Sequence, residues 1–164
     1  MLYLGLGSNL GDKRHHLLQA VALISERVGR IVCLSRFYET QPWGYVSNNT
    51  YLNAALGVET SLSPLEVLSI TQNIERELGR QKKSMNREYF DRPIDIDLLL
   101  MDDLVIDSDT LTLPHPLMHE RLFVLEPLVE IAPTIIHPVL QKTICELYNV
   151  LFKSANRCTI PSNV

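Results

Sequence analysis

Two aspartates interrupt an apolar run past the middle of the chain. They are Asp95 and Asp97, in Ile94-Asp95-Ile96-Asp97-Leu98-Leu99-Leu100-Met101. Such a run predicts a β-strand, in which residues i and i+2 project from one face. The two carboxylates then stand side by side, roughly 7 Å apart along the backbone. Unpaired carboxylates held against a core are costly, so something positive must face them. A hard divalent cation meets that need. Mg2+ in particular is held by one or two carboxylates, with water and substrate phosphate completing its shell. The bland alternative is a solvated edge strand. The unbroken apolar run from Leu98 to Met101 argues instead for a central strand.

A second group of residues leads into that strand. Arg80, Lys82, Lys83, Arg87 and Arg92 are concentrated in "RQKKSMNREYFDR". A solvated basic loop is the plain reading. Beside a carboxylate pair, cations have a second use, because they bind the anion that a metal also binds. Arginine grips phosphate oxygens in bidentate fashion. Metal, arginines and a mobile loop are the equipment of phosphoryl transfer, where catalysis is mostly positioning and charge neutralisation. Residues 80–91 are expected to be mobile in the free protein, since few apolar contacts repay their ordering. No G-x-x-x-x-G-K-[ST] loop is present, and "GLGSNLGD" at 5–12 has no lysine in place.

The elements that must position these groups follow from pattern and punctuation. "MLYLGLGS" predicts a first strand. Asp12 is a candidate N-cap for a helix reaching about Val28, with Leu17, Leu18, Val21, Ile24 and Val28 on one face and Gly29 as its stop. "RIVCLSRFYET" predicts a second strand and "YLNAALGVET" a third, with a polar loop from Gln41 to Asn49 between them. Ser63, Pro64 and Glu66 open a second helix that closes near Leu78, with Gly79 beyond it. The aspartate strand follows, and after Asp102-Asp103 "LVID" is expected to return as a hairpin. A short helix around Phe123 to Ile131 and a last helix in "TICELYNVLFKS" complete the pattern, and 155–164 reads as a loose tail. The order predicts an α+β fold, a ferredoxin-like βαββαβ antiparallel sheet with helices on one face and long site-bearing loops. The whole of 1–164 is expected to be one domain.

Bulk composition narrows the function classes. The chain has 164 residues, 46% hydrophobic and 21% charged, with a net charge of −4, so no basic surface for nucleic acid is advertised. No apolar run of about 18 residues exists, and no membrane partner is expected. The N-terminus lacks the basic start of a signal peptide. Cys33, Cys145 and Cys158 have neither pairing nor metal spacing, which fits a reducing cytoplasm.

Several segments together resemble one family. "GLGSNLGD" at 5–12, "YETQPWG" at 38–44, "YLNAA" at 51–55, "DRPIDIDLLL" at 91–100 and "LPHPLMHERLFVLEPLVEIAP" at 113–133 are similar to 6-hydroxymethyl-7,8-dihydropterin pyrophosphokinases of folate synthesis. The likeness spans nearly the whole chain, in order. It implies transfer of a diphosphoryl unit from ATP to the hydroxymethyl group of a reduced pterin, with release of AMP. It implies that Asp95 and Asp97 bind two Mg2+ ions. It further implies that Arg80, Lys82, Arg92, His115 and Arg121 hold phosphates, and that Gln72 and Glu75 line the nucleotide pocket. Thr112 and the backbone near Leu98 would contact the adenosine. For the pterin it implies Thr40, Gln41, Pro42 and Trp43, then Tyr51, Asn53 and Phe123.

The physical sense of that last set is plain. A flat heterocycle stacks between aromatic faces, and its amide-like edge suits the donor and acceptor of Asn53. The chain also departs from the family. Phe90-Asp91 precede Arg92 where Gly-Pro or Ala-Pro is usual, so Asp91 is expected as a third carboxylate near the metals or a salt bridge to Arg92. Thr110 and Pro116 stand where other members offer an arginine and a tyrosine to ATP. The expected partners are small molecules only, with a monomer favoured over an oligomer. A ferredoxin-like RNA-binding module and a nonenzymatic metal-binding protein are the alternative readings. The first would need exposed aromatics and a basic sheet face.

Overall fold

The computed structural model describes residues 1–44, 47–80 and 91–157. Strand β1 (Leu2–Ser8) leads through a turn to α1 (Lys13–Arg27), whose N-cap Asp12 accepts from the His15 N–H at 3.0 Å. Leu17, Ala20 and Ile24 form its buried stripe, while Leu18, expected on that face, is exposed. The chain then turns sharply at Gly29. A Cβ there would lie 2.1 Å from the Glu59 carbonyl oxygen, so only glycine fits.

The expected second strand is divided into β2 (Arg30–Leu34) and β3 (Tyr38–Thr40), both paired with β4 (Tyr51–Glu59). Ser35 causes the break. Its Oγ accepts from the Ala55 N–H at 2.9 Å, so a side chain replaces a backbone rung. Helix α2 (Pro64–Glu77) opens with a full capping box between Ser63 and Glu66 and stops before Gly79 at φ +96°. Next comes β5 (Asp95–Met101). The sheet order β2-β4-β1-β5 is antiparallel, as the βαββαβ pattern predicts.

Two expectations about β5 are corrected. It is an edge strand, with β1 its ladder partner. Its apolar run is explained by helices covering the second sheet face, not by strands on both sides. The segment after it does not fold back on it either. β6 (Ile106–Asp107) pairs with β7 (Thr112–Leu113), while Asp102, at φ +48°, donates its N–H to Met1.

The helices, expected on one face of the sheet, lie on both, because two later helices add a second layer to the α1–α2 layer. Leu2, Leu4 and Leu6 of β1 pack with α1 and α2. Tyr3, Ala55 and Leu99 point the other way, into a second cluster with α3 (Leu122–Ile131) and α4 (Ile144–Arg157). Between those helices, β8 (Ile136–His137) and β9 (Lys142–Thr143) form a small ribbon. Helix α4 includes 155–157, which extends it three residues into the expected tail; 158–164 lie outside the described residues. Among the described residues no helix is long and apolar enough to cross a membrane.

Candidate active site

Helices α3 and α4 cover only part of the second sheet face. Where they stop, the floor is made of glycine. Gly5 lies in register with Ala55 on one side and Asp97 on the other, and Gly7 with Asn53 and Asp95. The alternation that buries Leu4 and Leu6 puts both glycines and both aspartates on the opposite face. The resulting cleft is lined by Gly5, Leu6, Gly7, Thr40, Gln41, Trp43, Tyr51, Asn53, Ala54, Arg92, Asp95, Asp97, Arg121, Phe123 and Val124. Ten of the residues singled out from the sequence thus meet in one place, and the glycine floor is what the sequence reading missed.

Charge at the cleft is organised around Asp95. Arg80 Nη1 donates to Asp95 Oδ1 at 2.6 Å, and Arg92 Nη1 to Oδ2 at 3.2 Å. Arg80 Nη1 also reaches Glu75, which is only 4% exposed. Glu75 Oε1 in turn accepts the Ile96 N–H at 2.7 Å. Burial, then the charge of Asp95, push the Glu75 carboxyl up to about 7. Asp97 is likewise pushed up to about 7, first by burial and second by Asp95. The positive partner sought for the carboxylates is therefore partly supplied by arginine.

The donor set fits Mg2+. Two carboxylates share one face beside an open cleft. Among the described residues no cluster of three or more His, Cys, Asp or Glu could hold a metal by itself. Mg2+ rarely uses all-protein cages and takes water and phosphate instead.

Opposite the charges lies an aromatic slot. The Trp43 and Phe123 ring centres are 6.3 Å apart and tilted by 57°. Asn53, 3% exposed, donates from Nδ2 to Thr40 Oγ1 at 2.7 Å, which orients its amide. Arg121 was expected among the phosphate ligands. Here its guanidinium carbon lies 4.8 Å from the Trp43 ring centre and 5.7 Å from that of Phe123, a cation–π arrangement.

The other residues assigned to the nucleotide are not in the cleft lining. Glu75 and His115 sit at the outer edge of β5, where the His115 N–H donates to the Leu99 carbonyl at 2.9 Å. Gln72 lies one helical turn before Glu75 on α2, and Thr112 opens β7. The Leu98 side chain is in the core, which leaves its backbone for contact. His115 Nδ1 accepts from the Leu117 N–H at 3.2 Å, which puts its proton on Nε2. Burial, then the charge of Arg121, lower its pKa to about 4, so it is a neutral donor at pH 7 rather than a cation. Pro42 is half-buried beside the lining residues. Lys82, Lys83, Arg87 and Tyr89, with the rest of 81–90, lie outside the described residues.

Asp91 was expected near the metals or on Arg92. The structure shows it accepting from Asn9 Nδ2 at 2.7 Å, Ser47 Oγ at 2.8 Å and Asn49 Nδ2 at 2.5 Å. Asn9, 2% exposed, also clasps the Arg92 backbone. Its Oδ1 accepts the Arg92 N–H at 2.8 Å, and its own N–H donates to the Arg92 carbonyl at 3.2 Å.

Comparison with known proteins adds an independent line. Residues 3–133 match the model of the family described as 7,8-dihydro-6-hydroxymethylpterin-pyrophosphokinase. A 2-amino-4-hydroxy-6-hydroxymethyldihydropteridine pyrophosphokinase of Porphyromonas gingivalis is 50% identical over 139 residues, covering 84% of this chain and 94% of its own. The Bacillus subtilis protein of the same name is 45% identical over 130 residues, covering 79% and 76%. A solved Plasmodium falciparum HPPK-DHPS chain shares the fold at a TM-score of 0.78 and 17% identity. It is covered over 44% of its length by 96% of this one.

Proposed function

The chain belongs to the 7,8-dihydro-6-hydroxymethylpterin-pyrophosphokinase family, and from that membership we propose how its residues share the work. The reaction moves the diphosphoryl group of ATP onto the hydroxymethyl oxygen of 6-hydroxymethyl-7,8-dihydropterin, in folate synthesis, and leaves AMP. ATP is the co-substrate. What carries the residue assignment is the same-face pair Asp95 and Asp97 on a glycine floor, between an aromatic slot and a pair of arginines.

The pterin ring lies in the slot of Tyr51, Phe123 and Trp43, above Gly5 and Gly7. Asn53, its amide held by Thr40, reads the polar edge of the ring through one donor and one acceptor. Gln41 and Pro42 shape the wall. That orientation points the hydroxymethyl group at Asp95 and Asp97, which would hold two Mg2+ ions. When bound, the metal neutralises phosphate charge and lowers the pKa of the attacking hydroxyl. Arg80, Lys82 and Arg92 carry phosphate contacts, and Arg121 joins them from over the rings. Gln72, Glu75, Thr112 and the Leu98 backbone receive the nucleoside end along the outer edge of β5. His115 reaches the phosphates through its neutral Nε2–H.

Positioning and charge neutralisation supply the rate, with the carboxylates that line the cleft, Asp95 and Asp97, given to the metal. The residue assignment calls on no second chain, and a monomer is the proposed form. Unpaired Cys33 and Cys145 suit a reducing compartment such as the cytoplasm.

The test is AMP formation from ATP and Mg2+ with the pterin present or absent, repeated on Asp97→Ala. Pterin-dependent AMP that disappears in the variant supports the assignment. Near-normal turnover in Asp97→Ala would remove the metal role.

A further inference from the structure

Asp91 sits next to Arg92, and its carboxylate is held by side chains distant in sequence. Three of the donors to it come from two loops. Asn9 lies in the turn between β1 and α1, and Ser47 and Asn49 lie in the loop between β3 and β4. That second loop carries the cleft-lining residues Gln41 and Trp43 before the captured stretch, and Tyr51, also in the lining, opens β4 just after it. From the same carboxylate a continuous path runs the other way. Asn9 clasps the Arg92 backbone, and the Arg92 guanidinium donates to Asp95.

We infer that Asp91 is a positioning residue that ties the pterin-side loop to the strand entry carrying Arg92 and Asp95, and so sets the pterin slot relative to the reacting phosphates. The inference rests on the pterin site proposed above. The physical case is one of acceptor count. An ionised carboxylate offers only acceptors, and here it meets two amide donors and a hydroxyl, all at charge-assisted distances. A loop without a helix or strand of its own keeps one geometry only if such contacts repay its ordering entropy. No other carboxylate among the described residues bonds to Ser47 or Asn49 in this way.

The experiment is steady-state kinetics on the full chain. Each substrate is titrated with the other saturating, and thermal midpoints are recorded alongside. Asp91→Asn keeps the shape and turns one acceptor into a donor that opposes a neighbouring amide. It is expected to raise the pterin KM about tenfold, with the ATP KM within about twofold of wild type. The reciprocal exchange, Asp91→Asn together with Asn49→Asp, restores a donor facing an acceptor and is expected to return the pterin KM towards wild type. A carboxylate that only stabilises the fold would lower the midpoint, move both KM values together or neither, and gain nothing from the exchange; that result overturns the inference. Should Asp91→Asn not fold, Asn49→Ala removes one exposed donor and reads the same effect, and an unchanged pterin KM there is equally fatal. Failure of the pterin site itself would be distinguishable, as wild-type protein whose AMP release ignores pterin.

Discussion

Gly7 stands directly opposite Asp95 in the β1–β5 ladder, and Asn53 faces it from the other side. One residue without a side chain therefore separates the group that would read the pterin from the group that would hold the metal. A Cβ at Gly7 would come within 3.1 Å of Asn53 Oδ1 and 3.6 Å of the Tyr51 ring. The backbone there is ordinary strand, so the fold tolerates alanine while the slot does not.

Gly7→Ala is accordingly expected to leave the circular dichroism spectrum unchanged and to weaken pterin binding about tenfold, a loss of about 1.4 kcal/mol. Nucleotide affinity should stay as it was. Calorimetric titration of each substrate separates the two, and equal losses for both would contradict the placement of the slot.

Glu75 gives a stability test. Its carboxylate serves the Ile96 N–H at the open edge of β5 and the Arg80 guanidinium together. Glu75→Ala leaves a buried N–H without its acceptor and should cost roughly 2–3 kcal/mol in urea denaturation. Glu75→Gln keeps an acceptor oxygen and should cost less than half as much. Equal costs would mean that packing, not the hydrogen bond, is what Glu75 contributes.

His115 sets a pH dependence. Its folded pKa, lowered to about 4, lies below the unfolded value of about 6.5. Between those values the unfolded chain binds the extra proton. Stability therefore falls as pH drops from 6.5 towards 4, by roughly 1–2 kcal/mol once partial exposure is allowed for. His115→Gln should flatten the stability curve in that window and leave it unchanged above pH 7. A variant as acid-sensitive as wild type would place the effect elsewhere.

Much of this could be read from residue types. Asp12 and the Ser63–Glu66 box mark their helices because capping is local chemistry. The split at Ser35 was hidden, since "RIVCLSRFYET" alternates like one strand and only the partner strand shows that a side chain has taken over a rung. The edge position of β5 was hidden for a related reason. An apolar run reports that both faces are covered, not what covers them, and here the cluster of α3, α4 and Met118 supplies the second cover. The pterin slot needed the family resemblance, because Thr40, Asn53 and Phe123 come from three different elements. Asp91 stayed ambiguous because its donors lie between 42 and 82 positions away.

The most direct measurement is chromatography of the nucleotides after incubation with ATP, Mg2+ and 6-hydroxymethyl-7,8-dihydropterin, for wild type, Asp95→Ala and Asp97→Ala. The expected result is AMP equal in amount to the pterin diphosphate, no accumulation of ADP, and no AMP without pterin. Each variant should lose about a thousandfold or more in rate while its circular dichroism spectrum stays native. Stoichiometric ADP from wild type, or near-normal AMP formation by either folded variant, would contradict the assignment of these two carboxylates to diphosphoryl transfer.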